Sequence, residues 1–184
     1  MIQQPPQNAE ANALDDDTLA FAERVFDLAR SGAVDELTVL LGQGLPVNLR
    51  NHKGGSLLML ASYHGHHDAV RVLLQHGADT NLRNNNGQTP LAGAAFKGDV
   101  AMVELLLAHG ADLEGATPDG KTVLMMAAMF NRPEIIDLLL KNGADPTRQD
   151  ASGLTPLAAA RNMGAAEAAA RLAHSARDAG QAPA

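Results

Sequence analysis

The sequence predicts an all-α solenoid built from five helix-turn-helix repeats that are joined by hairpin-like turns. Glycines recur at intervals of 33 residues in three separate series, which indicates a repeated structural unit. Between these glycines, apolar residues follow the spacing of amphipathic helices. Aromatic residues make up only 3% of the chain, so the core must consist of aliphatic residues and alanine, which favours closely packed helices over a β-sandwich.

The glycine series set the length of the unit and are in phase with one another. The three series are Gly44, Gly77, Gly110 and Gly143; Gly54, Gly87, Gly120 and Gly153; and Gly32, Gly65, Gly98 and Gly164, with Asn131 in the fourth place of the last one. Three series with a single period are not expected by chance. The unit is therefore a repeat of 33 residues.

The third unit predicts the elements of one repeat in order. Thr89 is suited to cap the N-terminus of a first helix, and Pro90 occupies the first helical position, where its missing N–H costs nothing. Gly98 ends this helix in a left-handed conformation. A second helix then has a buried stripe of Val103, Leu106 and Leu107. Gly110 ends the second helix, and a polar turn leads to the next unit.

The same pattern places a repeat domain over residues 14–176. We position the repeats at about 18–50, 51–83, 84–116, 117–149 and 150–182. The first lacks a Thr-Pro-Leu sequence and the fifth is rich in alanine, as expected for terminal repeats that expose a face which internal repeats bury. Residues 1–13 and 177–184 lack periodicity and are rich in Gln, Pro, Ala and Gly, which predicts disordered tails.

Two short motifs give the chain a resemblance to a known family. One is Thr89-Pro90-Leu91, repeated as Thr155-Pro156-Leu157, and the other is Gly77-Ala78-Asp79, repeated at residues 110–112 and 143–145. With these phased motifs the chain resembles the ankyrin repeat family over nearly its whole length, and in particular small bacterial ankyrin repeat proteins. The resemblance implies a module without enzymatic activity that binds a protein on its concave face. A regulator or adaptor of an enzyme, a toxin or an effector would fit it.

Composition excludes several other classes of function. The chain has no cysteine, so disulfides, thiolate metal sites and a cysteine nucleophile are absent. A net charge of -7 disfavours binding to nucleic acid and to anionic membranes. No serine-nucleophile motif and no phosphate-binding glycine loop are present, so we expect neither catalysis nor a cofactor. Without a signal peptide or a membrane-spanning stretch, we expect a cytoplasmic protein; a periplasmic or exported one stays open if a signal was removed.

The one histidine cluster, His64-Gly65-His66-His67, has two interpretations. It could support a metal- or small-ligand-dependent activity, which is the alternative to protein binding. It could also be only the turn between two helices, where Gly65 interrupts the helix and the three rings need not converge. Since a zinc site needs three or four converging ligands, we expect no metal here.

The resemblance also implies which residues contact a partner. In ankyrin repeats the binding face is formed by the tips of the hairpin turns and by the end of each first helix. Carried onto this sequence, the tips contribute His52, Lys53, Asn85, Asn86 and Asp119; the helix ends contribute Tyr63, His64, Phe96, Lys97, Met129, Phe130 and Met163; and the position after the turn glycine contributes Gly55, Gln88, Lys121 and Leu154.

Two properties of this predicted face bear on the partner. Tyr63, Phe96 and Phe130 would form an apolar stripe that is either exposed for binding or packed between neighbouring helices. Half of the 14 basic residues map to the face or to the hairpins, whereas acidic residues such as Asp35, Glu104 and Glu134 map to the second helices or their entry, on the back, which would suit a partner with an acidic rim. The basic set is Arg30, Arg50, Lys53, Arg83, Lys97, Lys121 and Arg148. The oligomeric state stays open.

Overall fold

The computed structural model describes residues 16–179, which form ten α-helices in five successive pairs. The helices are α1 (Asp16–Ser31), α2 (Val34–Gly42), α3 (Leu57–Tyr63), α4 (His67–Gln75), α5 (Pro90–Lys97), α6 (Val100–Ala108), α7 (Val123–Met129), α8 (Pro133–Lys141), α9 (Pro156–Asn162) and α10 (Ala166–Ala179). The first helix of each pair packs on the first helix of the next, and second helices also pack together. The prediction of an all-α repeat solenoid is confirmed.

Hydroxyl caps start the first helices of repeats two to five. The side chains of Ser56, Thr89, Thr122 and Thr155 each accept a hydrogen bond from the backbone N–H three residues later, at 3.1, 3.2, 3.2 and 3.3 Å respectively. Three of these caps are buried, so they satisfy donors that water cannot reach. This explains why a hydroxyl residue recurs at one position of repeats two to five.

A left-handed residue ends the first helix of each repeat. Gly98 has φ 82°, as the sequence predicts, and Asn131 adopts φ 52° at the position that is glycine in the other repeats. Asn131 also has a use for its side chain, because its Oδ1 accepts a hydrogen bond from the N–H of Ala168 at 3.0 Å. Asparagine tolerates this backbone conformation better than most residues and adds a cap to α10.

The core repeats with the same period as the sequence. Equivalent second-helix leucines are buried in four repeats: Leu73, Leu106, Leu139 and Leu172. Equivalent first-helix alanines are fully buried: Ala61, Ala94, Ala127 and Ala160. Small residues let neighbouring first helices approach closely, while the leucines fill the space between the two layers.

The first repeat places charges where later repeats bury apolar groups. Arg24 lies at the position of the buried Leu57, and Glu36 at the position of the buried Ala69. The two charged side chains form an exposed ion pair at 2.9 Å. This end of the solenoid therefore carries a polar group on the face that an additional repeat would need to cover.

Both predicted tails fall largely outside the described residues. Residues 1–13 and 180–184 lie outside them entirely, whereas the backbone of residues 177–179, which the sequence assigned to the C-terminal tail, belongs to α10. The repeat boundaries themselves stay a prediction. No helix within residues 16–179 has both the length and the apolar character needed to cross a lipid bilayer.

Candidate functional site

The hairpin turns of repeats two and three and the first helices of repeats two to four line a groove of about 590 Å³. Its apolar floor is formed by Met59 and Leu60 of α3, Ala92 of α5 and Met126 of α7. These residues lie one helical turn before the ends of their helices or earlier, so they share a face with the helix-end residues. The groove lies on the predicted binding face and spans three consecutive repeats.

Three aromatic side chains form one wall of this groove, and we refer to Tyr63, Phe96 and Phe130 as the aromatic ladder. The rings of Tyr63 and Phe96 have centroids 6.3 Å apart and an interplanar angle of 8°. The rings of Phe96 and Phe130 lie closer, at 4.5 Å, with an edge-to-face angle of 80°. Both arrangements are favourable for aromatic pairs. Three consecutive repeats are thus linked through ring contacts on the groove side.

The ladder is neither fully exposed nor part of the core. Tyr63 is 40% exposed, whereas Phe96 and Phe130 are partly buried. Further along the face, Met163 is 55% exposed and Met129 is partly buried. The two alternatives for the apolar stripe are therefore both partly realised, because the rings pack on one another and still present surface to solvent.

Side chains on this face also meet diagonally between repeats. The Lys97 Nζ lies 4.9 Å from the centroid of the Tyr63 ring, which is a cation–π contact. Phe130, at the position equivalent to Lys97, contacts Phe96 in the same way. Met129 and Met163, one repeat further along, line a smaller cleft of about 90 Å³ together with Lys121. Each of these pairs is separated by one residue more than the repeat length.

The polar end of the groove is shaped by side chains that brace the hairpin turns. The Oδ1 of Asn51 accepts hydrogen bonds from the N–H groups of Lys53 at 3.0 Å and Gly55 at 2.9 Å. In the next turn, the Oδ1 of Asn84 accepts from the N–H groups of Asn86 and Gln88, both at 3.0 Å. These turns are thereby held in one conformation.

Neighbouring turns are also joined to one another. Asn85 donates its N–H to the carbonyl of Lys53 at 3.0 Å and its Nδ2 to the carbonyl of His52 at 3.1 Å. The carbonyl of Asp119 accepts from the N–H of Ala151 at 2.9 Å. Arg50 and Arg83 each donate to a carbonyl of the following turn, at Arg83 and Ala116 respectively. The tips form a continuous edge in which these two arginines have structural partners.

Local pairing reduces the positive charge that the sequence places on this face. Lys121 forms an ion pair with Asp119, and hydrogen bonds from Lys121 and then Thr117 lower the pKa of Asp119 to about 2. The same hydrogen bond raises the pKa of Lys121. Arg30 pairs with Asp27, and Arg148 pairs with Glu114 at 3.0 Å.

Lys53 and Lys97 are left without an ion pair within residues 16–179. The uncompensated lysine charge is therefore concentrated at repeats two and three rather than spread along the whole face.

The histidine turn has structural partners for two of its three rings. The Nε2 of His66 lies 2.7 Å from the carbonyl of Arg30, and the Nε2 of His67 lies 3.1 Å from the Oδ1 of Asp99. The exposed His64 contacts the ring of His66 with centroids 6.3 Å apart. No group of three histidine or acidic residues in the described part of the chain is arranged to hold a metal ion.

The predicted contact residues divide into separate groups. The groove brings together Lys53, Tyr63, Phe96 and Phe130. Lys121, Met129 and Met163 line the smaller cleft, and His64 and Lys97 line a polar cleft beside Tyr63. His52 faces a different cleft, next to the first repeat. Asn85, Asn86 and Asp119 lie at the hairpin tips without lining the groove.

Several groove residues were not among the predicted contacts. They are Asn51, Met59, Leu60, Asn84, Thr89, Ala92, Gly93 and Met126. A sequence signal for some of them exists, because Met59 and Met126 precede Tyr63 and Phe130 by four positions and must share their helix face. Asn51 and Asn84 could be recognised from the sequence as the first residues of their hairpin turns.

Comparison with known proteins agrees with this repeat architecture. The family described as "Ankyrin repeats (3 copies)" matches residues 26–117, and the one described as "Ankyrin repeats (many copies)" matches residues 106–160. A Pseudomonas aeruginosa protein whose name describes it as an ankyrin repeat protein is 66% identical over 55 residues, which is 30% of this chain. The matched segment spans about a third of that relative's length, at 32%.

Proposed function

The chain belongs to the ankyrin repeat family, whose members are generally protein–protein interaction modules, and we propose that it binds a protein partner along the groove of repeats two to four. The observation that carries this proposal is the aromatic ladder, whose rings are fixed by mutual contact yet present surface to solvent. The binding face is the concave one, formed by the hairpin tips and the first helices. The protein acts as a regulator or adaptor and not as a catalyst.

Rigid aromatic side chains are suited to dominate a binding interface. Residues that contribute about 2 kcal/mol or more to binding are enriched in tryptophan, tyrosine and arginine near the centre of interfaces, and phenylalanine and methionine are also common in interface cores. The ladder loses little conformational freedom on binding, because the rings of Phe96 and Phe130 already contact each other with centroids 4.5 Å apart. Met59 and Met126 on the floor are flexible and adapt to the shape of an inserted side chain.

The alternative of a metal- or ligand-dependent activity at the histidine turn has little geometric support. His66 and His67 are directed to Arg30 and Asp99, in different neighbouring repeats. Arg132, at the position of His66 two repeats later, donates to the carbonyl of Phe96 at 3.2 Å in the same way. The position of His66 thus serves to connect repeats whether its side chain is an imidazole or a guanidinium group.

Affinity capture from a native lysate tests the proposal. The wild type is compared with a groove variant that combines Tyr63→Ala, Phe96→Ala and Phe130→Ala, and with a back variant that combines Glu104→Ala and Glu134→Ala. Glu104 and Glu134 are exposed, lie on the second helices and form no ion pair within residues 16–179. We expect the groove variant to lose the partner and the back variant to keep it.

Far-UV circular dichroism must accompany the capture, so that lost binding is not confused with lost structure. The groove variant should remain helical, because only partly buried rings are truncated. A helical groove variant that still captures the partner, together with a back variant that does not, would place the binding surface on the second helices and refute the proposal.

A further inference from the structure

The side-chain amides at the polar end of the groove have fixed orientations. Asn51 directs its Oδ1 to two backbone N–H groups, and Asn84 does the same in the next turn. The Nδ2 of Asn84 then donates to the Oε1 of Gln88 at 3.0 Å. The amide oxygen of each of these three side chains accepts a hydrogen bond. Flipping an amide group would put its NH₂ in place of the oxygen and break that bond, so the orientations are fixed.

What these side chains leave unused is a set of hydrogen-bond donors. The Nδ2 of Asn51 and the Nε2 of Gln88 have no hydrogen-bond partner within residues 16–179, and the Nζ of Lys53 has no ion pair there. All three residues line the groove. No aspartate, glutamate or arginine lines it, so this end presents one positive charge and no competing negative charge.

We propose that the occupant of the groove is a linear segment of the partner in which a carboxylate stands beside apolar side chains. This inference rests on the proposed function and specifies the chemistry of the segment. The carboxylate lies at Lys53, Asn51 and Gln88, and the apolar side chains lie against Phe96 and Phe130. A carboxylate accepts several donors at once, whereas a groove filled by a neutral segment would leave the lysine charge uncompensated.

The direction of the segment follows from the distribution of charge along the face. Lys121, two repeats beyond Lys53, is already paired with Asp119 and offers no free charge to a second carboxylate. The acidic part of the segment therefore binds at repeats two and three, and its apolar part extends toward repeat four. Phosphorylated segments fit less well, because they are typically held by clusters of arginine and the groove has none.

Selection from a displayed library of random peptides tests this inference with a defined probe. The library is selected on the wild type, on Lys53→Glu and on Lys141→Glu, which makes the same charge change at an exposed lysine of α8. Peptides from the wild type should contain an acidic residue next to apolar ones. They should bind Lys53→Glu at least about tenfold more weakly, because a charge-assisted hydrogen bond is lost, and bind Lys141→Glu unchanged.

Selection on Lys53→Glu should instead enrich peptides with lysine or arginine in place of the acidic residue. A further variant, Phe96→Ala with Phe130→Ala, separates the two proposals. Peptides that need these rings but show no acidic preference and no response to Lys53→Glu would overturn the carboxylate while leaving the groove as the binding site. Peptides that respond to neither change, or no peptides at all, would overturn the linear segment, and binding that is independent of the rings would count against the proposed function as well.

Discussion

Truncating the two closest rings of the aromatic ladder, singly and together, tests the packing on which the groove depends. Replacing a fully buried phenylalanine by alanine lowers the free energy of unfolding of a protein by about 3–5 kcal/mol. Phe96 and Phe130 are only partly buried, so we expect about 1.5–3 kcal/mol for each replacement. Their edge-to-face contact at 4.5 Å should add a coupling of about 0.5–1.5 kcal/mol, so the double variant loses less than the sum of the single ones.

The assay is urea denaturation monitored by circular dichroism. The unfolding free energies of the wild type, the two single variants and the double variant are compared in a double-mutant cycle. A matched cycle between Phe96→Ala and Val39→Ala serves as the control, because Val39 is an exposed residue of α2 in another part of the solenoid. These two changes should be additive within about 0.3–0.5 kcal/mol. A coupling between Phe96 and Phe130 no larger than this control would refute the ring contact. If either single replacement lowers the unfolding free energy by more than about 4 kcal/mol, the rings are core residues instead.

Three further predictions concern local structure. Asn131→Ala should lower the unfolding free energy by about 1–3 kcal/mol, because it removes a helix cap and places alanine in a left-handed conformation, whereas Asn131→Gly should cost less; equal losses in urea denaturation would contradict this. Gly32→Ala should lower the melting temperature more than Gly164→Ala. Both glycines have φ 70°, but only a Cβ added at Gly32 would clash, because it would lie 2.5 Å from the ring of His66. Equal melting temperatures would argue against that contact. Lys121→Ala should raise the pKa of Asp119 above about 2 in an NMR titration. In the wild type this lowered pKa contributes stability that is present above the usual aspartate pKa and is lost as the pH falls toward 2.

Sequence periodicity predicted the fold because the residues that begin and end the helices recur from repeat to repeat. The cap at Thr89 and the left-handed residue at Gly98 are fixed by local chemistry and appear in the structure as expected. Asn131 has the left-handed backbone that is typical of its place in the glycine series, but nothing in the series indicates its hydrogen bond to the next repeat. That bond depends on how two repeats are stacked.

The site was less predictable because it is made between repeats. Aligning the repeats places Tyr63, Phe96 and Met129 in one row. The contact between Tyr63 and Phe96 follows this row, yet Phe96 also contacts Phe130, and Tyr63 also contacts Lys97, one residue beyond the repeat length. This offset follows from the relative position of neighbouring first helices, which the repeat length does not specify. The free donors at the polar end depend on the same level of detail, because hydrogen bonds within the turns decide which amide groups stay available.

Site-specific photo-crosslinking tests most directly whether the groove side of the solenoid is the binding surface. The chain has no cysteine, so a single introduced cysteine can carry the photoreactive label without interference. One protein carries the label at Asn86→Cys, on an exposed hairpin tip beside the groove, and the other at Glu104→Cys, on the exposed side of α6. In native lysate, we predict a crosslinked partner from position 86 that disappears when Phe96 and Phe130 are replaced by alanine. A partner crosslinked only from position 104, and retained after those replacements, would contradict binding along the groove.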